Sequence, residues 1–187
     1  PGPPPPLPPA AMPRSTDPPE GIVVSANNAP GGDAQLGSEW CDRYRAERIT
    51  TLLDAQAQHS IASLQAIQLD VYSTPLVELR DLLIAARAFE GTPLALVAAW
   101  DGQATAESAA AAILEATYTE LARSLVTRLA GDTAPIALGA GLGLAISGSS
   151  FHYRLQGRIM EVLQRPREPW LDGSDDLFGD LVLHGED

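Results

Sequence analysis

Residues 21–28 constrain the fold of this chain more than any other stretch. The segment begins with Gly21, continues through the β-branched run Ile22-Val23-Val24, and ends in two adjacent carboxamides, Asn27 and Asn28. Such runs are typical of strands, and the Ala-Pro-Gly-Gly-Asp sequence that follows is typical of a turn. The pattern predicts a short buried strand that delivers two Asn side chains into a turn at its C-terminal end.

Downstream of that turn the apolar residues recur at helical spacing. Pro75 stands where a helix can begin, since the first turn does not need its N–H, and Gly102 suits a left-handed position after a helix. Residues 131–150 are Gly-rich and predict a loop, with a helix there left open. The predicted helices are residues 43–57, 60–69, 75–89, 91–100, 106–128 and 151–163.

Composition excludes several classes of partner. The formal net charge is −12, all twelve basic residues are Arg, and no segment concentrates positive charge, which argues against nucleic acid or an anionic membrane as partner. No apolar run approaches the roughly 20 residues that span a bilayer. Cys41 is the single cysteine, so an internal disulfide is excluded.

Ten of the sixteen prolines lie in residues 1–20. The run in residues 1–9 is typical of polyproline II, which serves as a stiff linker or as a ligand for an aromatic groove. The sequence therefore divides into three predicted segments. They are a Pro-rich extended segment over 1–20, a strand with its Asn-bearing turn over 21–33, and a helical portion over 34–187.

Several of these features together resemble the penicillin acylase family of N-terminal-nucleophile amidohydrolases. They are Met12-Pro13, Asp17-Pro18 and Gly21 ahead of the strand, the Asn pair, and the Arg-bearing helix start Tyr44-Arg45-Ala46-Glu47-Arg48-Ile49. The resemblance spans residues 12–170 and is specific over 12–49; Trp100-Asp101-Gly102 matches a recurrent family turn. It implies that this chain is an internal fragment of the large (β) subunit.

The implied fold class is α+β. The complete enzyme would have a four-layer αββα architecture, to which this chain contributes a core strand and a mainly helical section. The resemblance also implies that residues 12–21 form an ordered, extended approach to the strand, and that residues 34–187 are the helical portion of the β subunit.

The resemblance singles out Asn27 as a donor of the oxyanion hole. In acyl transfer the carbonyl oxygen becomes an anion, and fixed N–H donors about 2.7–3.1 Å from it lower the barrier. An Asn carboxamide is neutral and carries two such hydrogens. The alternative interpretation is that Asn27 and Asn28 are turn residues that tolerate a positive φ.

Arg48 is the second candidate residue, because Ala46-Glu47-Arg48-Ile49 matches the family's Ala-x-Arg-[Ile/Val] pattern. Its implied roles are to orient the Asn carboxamide and to set a positive field near the reacting group. Arg45 is the competing match if the register is shifted by a turn. The alternative is a solvated, ion-paired helix end.

The family's nucleophile is a Ser, Cys or Thr at the N-terminus of the mature large subunit, with its own α-amine as general base. Pro1 has neither a hydroxyl nor a thiol, so we expect the nucleophile outside this chain and the isolated fragment to be inactive. The implied reaction is hydrolysis of a linear amide through an acyl-enzyme. Implied substrates include β-lactam side-chain amides and N-acyl homoserine lactones.

The resemblance implies no cofactor for the chemistry; family members often bind a structural calcium ion, for which no ligands can be matched in this sequence. It implies autoproteolytic processing, a periplasmic or secreted location, and the α subunit and the rest of the β subunit as partners. Two alternatives remain open. One is a helical interaction module with a Pro-rich tail, which predicts that residues 21–28 are exposed, and the other is a degenerate acylase scaffold.

Overall fold

The computed structural model describes residues 8–30, 36, 40–86, 94–138 and 152–164, without the side chains of 94 and 152–155. The chain divides into two compact units, Pro1–Ile67 and Gln68–Asp187. The helices are α1 (Tyr44–Asp54), α2 (Ile61–Gln68), α3 (Thr74–Ala85), α4 (Leu94–Ala98), α5 (Ala109–Ala130), α6 (Ala134–Ala137) and α7 (His152–Gln164). Short 3-10 turns occur at Pro9–Ala11 and Gly131–Thr133. The predicted, mainly helical character is confirmed for the part of the chain that the structure describes.

In the first unit, α1 begins where Asp42 is placed to accept a backbone hydrogen bond. Its Oδ1 accepts from the N–H of Tyr44 at 3.2 Å, which satisfies one of the unpaired donors of the first turn. One turn on, Glu47 and Arg43 form an exposed i,i+4 ion pair at 2.7 Å. Pairs of this kind stabilise a helix by only a few tenths of a kcal/mol, about 0.3–0.5.

Ser60 caps the start of α2, the helix predicted over residues 60–69. The N–H of Ser63 donates to Oγ of Ser60 at 3.1 Å, and the N–H of Ser60 donates back to Oγ of Ser63 at 2.9 Å. This is a reciprocal capping arrangement in which Ser takes the place of the usual Glu. The apolar positions of this region stay at the surface, since Ile61 is 80% and Leu69 77% exposed. The start of α2 is therefore determined by local hydrogen bonds rather than by burial.

The second unit is built around α3, which packs on α4, α5 and α7. Pro75 lies in the first turn of α3, as predicted. One face of this helix is fully buried through Leu76, Leu79 and Leu83. The other large side chains with almost no exposure in the described residues are Val97, Leu114, Ile159 and Met160. The core of this unit thus lies where α3, α5 and α7 meet.

The apolar spacing of the longest helix predicts one packed face, and this prediction is partly wrong for α5. The predicted positions are Ala109, Ala110, Ile113, Ala116/Thr117, Leu121, Leu125 and Leu129. Ala110, Leu121 and Leu125 are buried as predicted, whereas Leu114 is buried rather than Ile113, and Ala109 and Leu129 are exposed. Residues 109–112 are all alanine, so hydrophobicity alone cannot orient the first turn of this helix. Tertiary packing decides which alanines face the core, and their small size permits close approach.

The buried strand predicted from residues 21–28 is not formed in the described part of the chain. Residues 22–25 have no sheet partner in the described part of the chain, and Val23 is 68% exposed. Of this stretch only Ala26 is buried, and only Asn28 forms a bridge, an isolated parallel one with Cys41. A strand needs a neighbour that pairs its N–H and C=O groups, and no described segment provides one beside residues 22–25. The four-layer αββα architecture and the three-segment division stay predictions.

Helix ends differ from prediction in several places. α1 ends at Asp54 rather than at residue 57, and α5 begins at Ala109 rather than at residue 106. α4 ends at Ala98, so Gly102 lies beyond the helix, although its φ of +89° is left-handed as predicted. Residues 131–138 of the predicted loop contain the second 3-10 turn and α6. α3 ends at Ala85, with Ala86 as its C-cap residue, short of the predicted end near Phe89. Residues 139–150 of the predicted loop lie outside the described residues. The helix predicted over 151–163 is confirmed as α7.

The Trp100-Asp101-Gly102 turn is tied together by side chains. The indole Nε1–H of the buried Trp100 donates to the carbonyl of Gln103 at 3.0 Å, and the Asp101 carboxylate accepts from the N–H of Gln103 at 3.0 Å. Arg80 of α3 donates to the carbonyl of Trp100 at 2.6 Å. The turn is therefore held by both its own side chains and the helix that forms the core.

Candidate functional site

The site predicted from the sequence centres on a turn at Asn27. This residue has a φ of +61°, which places its backbone in the left-handed region. Non-glycine residues rarely adopt this conformation, and Asn is among those that do so most readily. The Asn27 side chain is exposed, and none of the hydrogen bonds among the described residues uses its carboxamide.

The neighbouring carboxamide is used very differently. Oδ1 of Asn28 accepts from the N–H of Ala26 at 3.0 Å, and Nδ2 of Asn28 donates to the carbonyl of Ala29 at 3.2 Å. The structure therefore distinguishes the two members of the Asn pair. Asn28 holds the turn together, and Asn27 presents its two N–H donors and its acceptor to the surroundings.

The turn is also tied to the segment that enters α1. The N–H of Cys41 donates to the carbonyl of Asn27 at 2.8 Å, and Asn28 and Cys41 form a parallel bridge. Cys41 stands three residues before the first residue of α1. The backbone of the Asn turn is thereby fixed relative to the start of the helix that carries Arg48.

Arg48 lies on the second turn of α1 and is half-buried, whereas Arg45 is exposed. Residues four apart share a helix face. Arg48 therefore lies on the same face of α1 as the buried Tyr44, which is 6% exposed. Arg43 and Glu47 form an exposed ion pair on the first turn of the same helix. The guanidinium of Arg43 also lies 4.8 Å from the centroid of the Tyr44 ring.

These placements support Arg48 over Arg45 as the residue beside a site. A half-buried guanidinium is less screened by solvent than an exposed one, so its field acts more strongly on nearby groups. The assignments of Asn27 and Arg48 to roles in catalysis stay predictions. What the geometry provides is an exposed carboxamide on a tied turn and a partly buried cation on the helix that follows.

Sequence reasoning missed the structural roles of Asn28 and Cys41. The signal for Asn28 was present, because Asn side chains commonly hydrogen-bond to nearby backbone in turns. The contribution of Cys41 comes from its main-chain N–H, and no side-chain pattern signals a main-chain bond between residues so far apart in sequence. Fourteen positions separate Asn27 from Cys41.

The described residues contain neither a cluster of acidic, His or Cys side chains suited to a metal ion nor a membrane-spanning helix. Among residues 8–30, 36, 40–86, 94–138 and 152–164, no group of three or more His, Cys, Asp or Glu side chains could hold a metal ion. In the same residues no helix is both long and apolar enough to cross a bilayer. The structural calcium ion that the resemblance implies stays a prediction.

Comparison with known proteins gives two matches. A family model described as penicillin amidase matches residues 5–177. The chain is also 36% identical over 139 residues to the penicillin acylase 2 proenzyme of Pseudomonas sp. (strain SE83), which aligns 70% of this chain with 18% of that protein. The chain thus spans less than a fifth of the length of this curated relative. No solved structure matches the chain.

Proposed function

The chain belongs to the penicillin amidase family, and we propose that it contributes an oxyanion donor to an amidohydrolase that cleaves linear amides through an acyl-enzyme. Family membership indicates an amide hydrolase. The observation that carries the finer proposal is the contrast within the Asn pair, where one carboxamide ties the turn and the other is exposed.

In the proposed reaction a nucleophile attacks the amide carbonyl and the negative charge moves to the carbonyl oxygen. Nδ2 of Asn27 donates a hydrogen bond to that oxygen. A donor on a tied turn needs little reorganisation when the charge forms, which is why preorganised donors stabilise a transition state so effectively. The left-handed backbone of Asn27 fits this role, since strained backbone is concentrated at functional sites.

The proposed role of Arg48 is to support this donor. Its guanidinium would orient the Asn27 carboxamide through the carboxamide oxygen and place a positive field near the developing anion. Arg48 is half-buried on the same helix face as Tyr44, and this favours the role because burial limits the screening of its charge by solvent.

We place the nucleophile outside the 187 residues, at a Ser, Cys or Thr that starts the mature large subunit, with its α-amine as general base. The relative from Pseudomonas is described as a proenzyme, which supports autoproteolytic processing here. The partners of this chain are then the α subunit and the remainder of the β subunit. The substrates are small amides such as penicillins or N-acyl homoserine lactones.

The proposed chemistry needs no cofactor, because the nucleophile, its amine and the carboxamide donor account for the proton and charge movements. A structural calcium ion and a periplasmic or secreted location follow from the family resemblance alone.

The test is processing and turnover by the full-length protein. We expect mass spectrometry and N-terminal sequencing to find a mature chain that begins with Ser, Cys or Thr upstream of residue 1 and contains this stretch. Incubation with benzylpenicillin and with N-acyl homoserine lactones of short and long acyl chains should release a primary amine. An unprocessed polypeptide that releases no amine from any of them would contradict the proposal.

The second candidate is a helical interaction module with a Pro-rich tail or a degenerate acylase scaffold. The exposure of Val23 favours it, because an isolated docking segment needs no sheet partner. The amine-release assay separates the two candidates, since a module or a degenerate scaffold turns over no substrate.

Arg48 and Arg45 provide a matched pair of substitutions. Arg48→Gln is expected to lower kcat/KM about 10- to 100-fold, the effect of losing a hydrogen bond to a charged group worth roughly 1.5–3 kcal/mol. Arg45→Gln, on the exposed face, should change kcat/KM less than about twofold. Steady-state kinetics of the processed protein measure both, and the reverse ranking would show that the matching register is shifted by one turn.

A further inference from the structure

The helix α2 leaves its apolar side chains exposed among the described residues. It has 8 residues, none of which is buried, and Ile61 and Leu64 are 80% and 43% exposed. A helix shorter than about 12–15 residues is marginal in water, and most helices in proteins are stabilised by packing one face. α2 therefore needs a packing surface that the described residues do not supply.

The printed contacts of α2 and the residues before it are polar. Ser60 and Ser63 cap the start of the helix reciprocally. Just ahead of them, Nε2 of His59 donates to the carbonyl of Leu53 in the last turn of α1 at 2.8 Å. These bonds determine where α2 begins and how it follows α1, and they bury none of its apolar side chains.

The composition of α2 is that of a buried helix. Residues 55–69, between Asp54 and Asp70, contain no Asp, Glu, Lys or Arg, although 19% of the chain is charged. Surface helices carry charged side chains on their outer face, as α1 does with Arg43 and Glu47. The sequence of α2 thus fits an environment without water, whereas the described residues leave the helix exposed.

The comparison with the Pseudomonas relative indicates what covers this helix. The aligned stretch is 18% of that protein, so more than four-fifths of it lies outside the alignment. A segment of the same polypeptide folds beside α2 at a high effective concentration. The net charge of −12 opposes a second copy of this chain, because like charges repel, and it also opposes an anionic membrane.

We propose that the face of α2 formed by Ile61, Leu64 and Gln65 is a docking surface for an apolar, uncharged segment of the complete acylase outside these 187 residues. The three positions share one helix face, since they are spaced i, i+3 and i+4. The Gln65 carboxamide is exposed and carries both donors and an acceptor for backbone groups of that segment. The inference rests on the partners named in the proposed function and is independent of Asn27 and Arg48.

The first experiment is cysteine alkylation in the full-length protein, with mass spectrometry of the peptides to identify each modified residue. We expect Ile61→Cys and Leu64→Cys to react with N-ethylmaleimide at least about 100-fold more slowly in the native protein than in urea, because a covered site must open first. Glu120→Cys is the control. Glu120 lies on α5 with its side chain 62% exposed, and its native and unfolded rates should agree within about tenfold.

Alkylation of Ile61→Cys and Leu64→Cys as fast as of Glu120→Cys in the native protein overturns the proposal. If the cysteine variants do not fold, hydroxyl-radical oxidation of the unsubstituted protein tests the same surface. Ile61 and Leu64 should then be oxidised much more slowly in the native protein than in urea, and equal rates would again overturn the proposal.

The second experiment identifies the occupant. Benzoylphenylalanine introduced at position 65 of the full-length protein should form a photo-cross-link to a peptide of the same protein outside the 187 residues. A cross-link to a second copy, a cross-link within the 187 residues, or no cross-link overturns this assignment.

Neither experiment requires turnover. Protection and an outside cross-link in a protein that releases no amine would leave the docking surface standing and overturn the proposed reaction. Rapid alkylation in a protein that does release amine would do the reverse.

Discussion

Replacing Asn27 by Gly is expected to lower kcat for amide hydrolysis about 10²–10³-fold, the usual effect of removing one oxyanion donor. Glycine accepts the φ of +61° without strain, so the turn and its bond to Cys41 are retained. The substitution therefore removes the carboxamide alone. Steady-state kinetics of the processed full-length protein, together with its melting temperature, measure the effect on chemistry and on folding separately.

Asp17→Gly is the matched control. Asp17 is exposed and also has a positive φ, +46°, and it has no role in the proposed reaction. It should keep the kcat of the unsubstituted protein. If Asn27→Gly also keeps this value, Asn27 is a turn residue chosen for its backbone, and the non-catalytic alternatives gain support.

Replacing Gly102 by Ala is expected to reduce the free energy of unfolding by about 2–4 kcal/mol. A Cβ at this position would lie 2.2 Å from Cε2 and 2.7 Å from Cδ2 of Tyr72, and the backbone has a φ of +89°. Forcing extra volume into a packed site costs about 1–3 kcal/mol, and an Ala at positive φ adds about 1 kcal/mol. The midpoint of urea-induced unfolding of the full-length protein measures the loss.

Gly131→Ala separates the steric clash with Tyr72 from the cost of placing Ala at a positive φ. Gly131 has a φ of +51° and a ψ of −131°, and no atom lies within 4 Å of the added Cβ, so only a backbone contribution of about 1–3 kcal/mol is expected. Combining Gly102→Ala with Tyr72→Ala should destabilise by less than the sum of the two single changes, because the ring that causes the clash is gone. Equal losses at the two glycines would show that Tyr72 moves aside freely.

The large loss of stability expected from Gly102→Ala is explained by the position of its turn next to the start of α3. The carbonyl of Gly102 accepts from the N–H of Ser73 at 2.9 Å, and Tyr72 and Gln103 form an antiparallel bridge. Ser73 is the N-cap residue of α3, the helix at the centre of this unit. A shift of the Gly102 turn would therefore disturb the entry to the core helix as well as the ring of Tyr72.

Most of the helices could be predicted because their signals are local. Ser60 caps α2 through bonds within three residues, and Pro75 begins α3 where its missing N–H is harmless. The apolar spacing that predicted α7 likewise concerns neighbouring turns of one helix. Periodicity failed in the alanine run at the start of α5, where every residue is equally apolar.

Local signals could not predict whether residues 22–25 form a strand. β-branched residues favour an extended backbone, and that local preference is satisfied whether or not a partner strand is present. Pairing depends on a second segment brought alongside, and in the described residues the bridge next to this stretch is the isolated one between Asn28 and Cys41. The local pattern predicts an extended backbone, and the presence of a sheet is a separate, non-local matter.

For the candidate site, the family resemblance selected Asn27 and Arg48 by position alone. It could not say which carboxamide of the pair is occupied by backbone bonds, since Asn27 and Asn28 are chemically identical. The structure distinguishes them through the bonds of Asn28 to Ala26 and Ala29. It also distinguishes Arg48 from Arg45 by burial, which depends on how α1 packs.

The amino-acid sequence by itself determined the helical segments, the left-handed Gly102, the acidic character and the family, because each depends on residue type and short spacing. Only the tertiary structure decided which face of α5 is buried, how Cys41 ties the Asn turn to the start of α1, and how closely Tyr72 approaches Gly102. The physical reason is the distance along the chain over which each interaction acts. Propensities, caps and periodicity act within a few residues, whereas packing and bridges depend on segments that are distant in the chain and meet only when it folds.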